Sequence, residues 1–209
     1  EILVGDYGVG RVIARPFEGE HPYTRTPRRH DFSLVPPKKT MLDHIKETGM
    51  DVIGVGKIYD IFAGKGLTDQ DRTIGNKADM EIASRFQKQD FTGLCFINLV
   101  DFDMSYGHRR DPEGYANALN EFDEWLGGFL DEMRPDDVLI ITADHGCDPC
   151  HTGTDHTREY IPVLVFGDSI EPRNLGTMDG FDCIAATVLD LLGIKADVSG
   201  TSFAKSITS

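Results

Sequence analysis

From residue 40 to residue 193 the chain alternates strand-sized and helix-sized apolar segments, and this alternation restricts it to a small set of architectures. Residues 40–48 have helix-like spacing, 52–55 strand-like, 77–89 helix-like, 94–100 strand-like and 112–133 helix-like. Residues 138–142 and 161–166 read as buried strands, and 181–192 as an amphipathic helix ended by Gly193. The longest helix opens Asp111-Pro112-Glu113, a capping residue followed by proline in the first turn. Short strands alternating with helices predict an α/β fold, a core sheet sandwiched by helices.

The first 37 residues depart from this pattern. Gly5, Gly8, Gly10, Gly19, Pro16, Pro22, Pro27, Pro36 and Pro37 interrupt it, Arg25, Arg28 and Arg29 form a basic run, and only 9–14 looks like a strand. The head therefore reads as part of a second, smaller domain, and the tail 197–209 as a surface strand or turn. With 209 residues, 40% of them apolar, the chain can bury a sizeable core, which excludes general disorder.

Charge narrows the partners. Lys and Arg number 21 against 35 Asp and Glu, a formal net charge of −14. A binder of nucleic acid or of an anionic membrane carries the opposite balance, so neither is expected as a partner. The longest apolar stretches are strand-sized and too short to cross a bilayer. No basic and apolar leader precedes the first residues, so no signal peptide is expected. Four cysteines are too few for a disulfide scaffold, and Cys95 and Cys183 lie in apolar patterns where a thiol serves as a small hydrophobe. A reducing, cytoplasmic location is the expectation.

In open α/β sheets, ligands gather at the carboxyl ends of the strands. Two clusters of Asp and His fall there: Asp101, Asp103 and His108 after the strand at 94–100, and Asp144 and His145 after the strand at 138–142, followed by His156. Imidazole and carboxylate together are the ligand set of a divalent transition metal. Asp103, His108, Asp144, His145 and His156 are too many for one catalytic ion that also holds substrate, and they suggest two ions clamping a phosphoryl transfer. An isolated Asp-His-Gly is also a common capped turn; the added residues in matching loops favour the metal. Cys147 and Cys150 form a C-x2-C, but no second pair exists and no helix begins there, so they read as two loop cysteines. His151 is a possible further ligand or a solvent-exposed loop residue, and His21, His30 and His44 read as surface residues. Arg11, Arg25, Arg28, Arg29 and Lys57 stand out in an acidic chain; a sugar phosphate needs such a clamp, although solvated surface charge is an equal reading for Arg28 and Arg29.

The block Thr142-Ala143-Asp144-His145-Gly146-Cys147-Asp148-Pro149 with His151 to Val163 closely resembles the phosphopentomutases of the alkaline phosphatase superfamily. The resemblance extends to Gly8 to Phe17, to Gly54-Val55-Gly56-Lys57-Ile58 with Asp60-Ile61-Phe62, and to Asn98 to Arg110. It implies an isomerase that interconverts ribose 1-phosphate and ribose 5-phosphate, and the 2-deoxyribose pair, through a phosphoenzyme and a bisphosphate intermediate. It also implies an alkaline-phosphatase-like core, two Mn²⁺ ions with Zn²⁺ or Mg²⁺ possible, a sugar bisphosphate activator and a pentose phosphate substrate. Matching positions are Asp103, His108 and His156 for one ion, Asp144 and His145 for the other, and Arg11, Arg25 and Lys57 for substrate phosphate.

Members of that family are about twice as long and begin with a further metal-binding aspartate and a phosphorylated threonine, neither of which has a match here. Thr152, Thr154 and Thr157 lie near the ligands, but none matches the phosphorylated position. The chain then corresponds to a carboxyl-terminal portion, with 1–34 the end of a smaller α+β cap domain and 35–209 the second half of the metal-binding core, whose partner is the missing amino-terminal half. A metal-dependent phosphatase or phosphoglycerate mutase of the same superfamily, or an inactive metal-binding fragment, are the alternatives.

Overall fold

The computed structural model describes residues 8–26, 28, 30–73 and 75–208, with the backbone alone for Arg25, His30 and Asp31. Gly5, Pro27 and Arg29 of the head lie outside the described residues. The head folds as two small antiparallel pairs: β1 (Arg11–Ala14), β2 (Phe17–Glu18), β3 (Thr24–Arg25) and β4 (His30–Ser33), with β1 on β4 and β2 on β3.

After the head comes α1 (Met41–Glu47). The Thr40 N–H donates to the Asp43 carboxylate at 2.7 Å, satisfying a donor that the helix leaves orphaned. Then follow β5 (Asp51–Gly56), α2 (Ile58–Phe62), β6 (Asp69–Asp71), α3 (Asn76–Gln87) and β7 (Gly93–Asn98). β5 is the centre of a parallel sheet of order β6-β5-β7, with Asp51 opposite Gly93 and Gly56 opposite Asn98. The last part holds a π-helical turn (Phe102–Gly107), α4 (Pro112–Asp131), β8 (Leu139–Thr142), β9 (Val163–Phe166), α5 (Asp182–Leu191) and α6 (Ala204–Ile207).

Side-chain alternation along β5 feeds two cores. On one face Val52, with Leu94 and Phe96 of β7, packs against Leu42 and Ile45 of α1 and Val188 and Leu189 of α5. On the other, Ile53 and Val55, with Cys95 and Ile97, pack against Phe86 and Ile82 of α3. Helices thus cover both faces of the parallel sheet, and the fold is α/β. Burial pushes the Cys95 thiol up to about 12, so it stays protonated and serves as a hydrophobe.

Two features differ from what periodicity predicts. β8 and β9 do not continue the parallel sheet; they pair with each other, antiparallel, from Leu139 opposite Phe166 to Thr142 opposite Val163. The tail is not a surface strand or turn: it ends in α6, and Phe203, Ala204 and Ile207 are buried, Phe203 and Ile207 against Cys183. Four residues are too few to show a helical period, so only tertiary burial reveals the element.

Thr187 anchors that tail. It is fully buried, donates to the Cys183 carbonyl at 2.7 Å and accepts from the Phe203 N–H at 3.0 Å. Thr187→Val keeps the shape but orphans the Phe203 donor, and a loss of about 1–3 kcal/mol in chemical denaturation is expected. An unchanged midpoint and slope would show that the tail is not held there.

Candidate metal centre

Asp103 and His108 meet because the chain after β7 takes a π-helical turn, in which the His108 N–H donates to the Asp103 carbonyl at 2.9 Å. An α-helix would set residues i and i+5 about 140° apart around its axis. The i+5 bonding of the wider turn instead brings both side chains to one side. The turn is tied to α3 by a reciprocal pair: Asn76 N–H donates to the Asp101 carboxylate at 2.7 Å, and Asp101 N–H to the Asn76 side-chain oxygen at 2.9 Å. Ser105 donates to the other Asp101 oxygen at 2.8 Å.

The loop after β8 brings the other ligands back. Gly146 and Thr157 form an isolated antiparallel bridge, with the Thr157 N–H donating to the Gly146 carbonyl at 3.0 Å. This closes the segment between them and lays His156 on His145, ring centroids 3.6 Å apart and planes 14° from parallel. Inside the closed loop the Asp148 N–H donates to the Thr157 hydroxyl at 2.7 Å.

The Asp103 Oδ1 atom is the point of convergence. It lies 3.1 Å from His108 Nε2 and 3.2 Å from His156 Nε2. Donors that share a cation at about 2.0–2.1 Å in a tetrahedral set sit roughly 3.3–3.4 Å apart, so these spacings are close to those of a shared divalent cation. The far sides of the rings agree: Nδ1 of His108 lies 2.5 Å from the Thr154 carbonyl and Nδ1 of His145 lies 3.0 Å from the Gly146 carbonyl. A carbonyl only accepts, so Nδ1 carries a proton in each ring and Nε2 is the nitrogen left to face a cation, the second contact that metal-binding histidines make.

Among the described residues, two triads place one donor atom from each member within 4.8 Å of the others: Asp103, His108 and Cys147, and Asp103, His145 and His156. His156 lies near both partners, its ring centroid 3.6 Å from that of His145 and 5.0 Å from that of His108. Asp144 contacts His145 at 3.7 Å, with its own side chain 72% exposed. His151 is turned to its neighbour, Nδ1 lying 2.8 Å from the Thr152 carbonyl, and belongs to neither triad.

The substrate-contact candidates are more dispersed. Lys57 follows β5 at its carboxyl end, and Gly56 there pairs with Asn98, so Lys57 emerges at the sheet end that carries Asp101 and Asp103. Arg11 opens β1 in the head and is exposed; Arg25 lies in β3, its side chain outside the described residues. Arg28 is paired with Glu18 at 3.4 Å on the surface.

Two further groups stand at the cluster. Cys147 sits with its Sγ 3.7 Å from Asp103 Oδ1, and burial, followed by the Asp103 charge, raises its thiol above the ordinary range. Tyr115 of α4 packs on Phe102, ring centroids 5.3 Å apart. Burial, then the Cys147 and Asp103 charges, raises its hydroxyl. Tyr115 is unmarked by spacing because it arrives from α4; Cys147 shares the loop of His145, and its C-x2-C spacing points to Cys150 and not to Asp103.

A phosphopentomutase of Lachnoclostridium phytofermentans is 54% identical over 97% of this chain and 53% of its own length. One from Clostridioides difficile is 54% identical with the same coverage, and one from Carboxydothermus hydrogenoformans is 52% identical over 97% of this chain and 52% of its own. The chain therefore spans about half the length of the curated relatives it matches. A crystal structure of Leishmania mexicana phosphoglycerate mutase at low cobalt concentration superposes with a TM-score of 0.59 at 22% identity, covering 77% of this chain and 38% of that one, and so shares the fold. The model of the metalloenzyme superfamily matches residues 21–196, which hold every Asp and His of the cluster, and the chain belongs to that superfamily.

Proposed function

We propose that this chain is the metal-binding half of a phosphopentomutase, an isomerase that interconverts ribose 1-phosphate and ribose 5-phosphate and the 2-deoxyribose pair. The convergence of His108 and His156 on one Asp103 oxygen, with His145 stacked on His156, is the observation that carries the reading. Its agreement with relatives that bear that name over nearly all of this chain supports the substrate class.

In this reading Asp103, His108, His145, His156 and Asp144 hold two divalent cations, drawn from Mn²⁺, Zn²⁺ and Mg²⁺. Bound cations offset the negative charge on a transferring phosphoryl group. The protein residues have their own tasks. Asp103 gathers two imidazoles on one oxygen, the Thr154 and Gly146 carbonyls fix the tautomers, and the Asn76–Asp101 pair sets the angle of the turn. Lys57, Arg11 and Arg25 take the sugar phosphate. The head, 1–34, is the end of the cap, 35–209 is core, and the enzyme works in the cytoplasm; no helix among the described residues is long and apolar enough to cross a membrane.

The amino-terminal half of the longer polypeptide completes the site and supplies the phosphorylated residue. β7 is an edge strand, β8 pairs only with β9 among the described residues, and Leu164 and Phe166 on β9 are exposed, which leaves edge and apolar surface for it to cover. The test is an assay of the complete polypeptide carrying this segment, with ribose 1-phosphate, glycerate phosphates and a generic phosphate ester as substrates. Metal-dependent formation of ribose 5-phosphate alone is the expected result. Turnover of glycerate phosphates, or simple hydrolysis of all three, would assign the chain to another branch of the superfamily.

A further inference from the structure

Asp103, His108 and Cys147 bring a carboxylate, an imidazole and a thiol within 4.8 Å of one another. Sequence spacing gives no hint of this, because Cys147 belongs to the loop after β8 and its nearest sulfur in the chain is Cys150. The tertiary structure makes room for it: Gly107 has no side chain, and a Cβ there would overlap the Cys147 sulfur. The residue before His108 thus cradles the thiol against the ligand-bearing turn.

The spacing also suits coordination. An oxygen donor at about 2.0–2.2 Å and a thiolate at about 2.3 Å in a tetrahedral set lie roughly 3.6 Å apart. Cys147 Sγ and Asp103 Oδ1 are 3.7 Å apart, and Asp103 Oδ1 and His108 Nε2 are 3.1 Å apart. Cys150 is different: it is exposed, its N–H donates to Asp148 Oδ1 at 2.7 Å, and it belongs to neither triad.

We propose that Cys147 is a sulfur ligand to the cation held by Asp103 and His108, and that it shifts that position toward zinc, cobalt and cadmium over manganese and magnesium. The proposal rests on the reading of this cluster as a divalent-metal site and refines it. On binding, the thiol S–H breaks, its proton passes to solvent and a sulfur–metal bond forms, with no change of oxidation state. Softer ions gain most from a thiolate, whereas manganese and magnesium favour oxygen donors.

The test uses the full chain titrated with Co²⁺ or Zn²⁺ alone. A sulfur-to-cobalt charge-transfer band in the near ultraviolet is expected in the unaltered chain and in Cys150→Ser, and its loss in Cys147→Ser. X-ray absorption of the zinc-loaded, unaltered chain is expected to show one sulfur at about 2.3 Å, a readout that does not depend on any variant folding. Zinc affinity should fall at least about tenfold in Cys147→Ser while manganese affinity moves by less than about threefold. Cobalt and zinc bound with only nitrogen and oxygen neighbours would overturn the sulfur ligand and leave the metal site standing. No binding of either ion would overturn both.

Discussion

Replacing Asp103 by alanine is expected to weaken binding of a divalent cation by at least about 100-fold, more than any other single change in the cluster, because removing an outer partner of a metal ligand alone costs about 10–100-fold. Asp103 is the one residue common to both triads, and its Oδ1 atom meets His108 and His156 at once. Its loss therefore removes a donor from both triads together, whereas loss of His108 touches only one. Asp103→Asn keeps the volume and removes the charge, so it separates packing from ligation: a metal site predicts that both variants bind weakly while both unfold at nearly the normal denaturant concentration. Calorimetric titration with zinc or manganese, run beside a denaturation curve, measures the two. Normal cation affinity in either variant would remove Asp103 from the centre of the site.

Asp79→Asn is expected to change stability by a few kcal/mol, in a direction set by pH. Asp79 is fully buried on α3, and burial, aided by the charges of Asp101 and Asp71 and opposed by the Gly75 backbone, raises its carboxyl from 3.8 to about 7. Below pH 3.8 both the folded and unfolded forms keep the proton, and its contribution to stability is complete. Between 3.8 and about 7 the unfolded chain releases the proton while the folded chain retains it, so stability falls as pH rises. Three pH units at 1.36 kcal/mol each make this roughly 4 kcal/mol. Asparagine cannot ionise, so the variant gains on the original protein by about that amount between pH 4 and pH 8. Urea unfolding at several pH values tests it, and parallel curves for the two proteins would show that Asp79 is not the titrating group.

Much of the fold is legible residue by residue. The alternation around Val52 to Val55 and the spacing along α3 and α5 are strong enough that tertiary packing only trims their ends. β6 is not legible: Asp69, Gln70 and Asp71 have no apolar period, and they form a strand because the open edge of β5 offers backbone partners. α2 and α6 span five and four residues, less than a readable amphipathic pattern. The π-helical turn is hidden in another way, since its bonding distinguishes it from an α-helix while its composition does not.

The sequence by itself determined which chemistry is available: acidic composition, strand ends that carry Asp and His, and an α/β alternation. The tertiary structure alone decided which donor atoms come together, placing His156 on His145 and admitting Cys147 beside Asp103 and His108. Periodicity is a local property and reports which face a residue occupies within its own element. Coordination depends on distances of a few ångströms between atoms from separate elements, and those are set by a loop closed at Gly146 and Thr157 and by the absence of a side chain at Gly107.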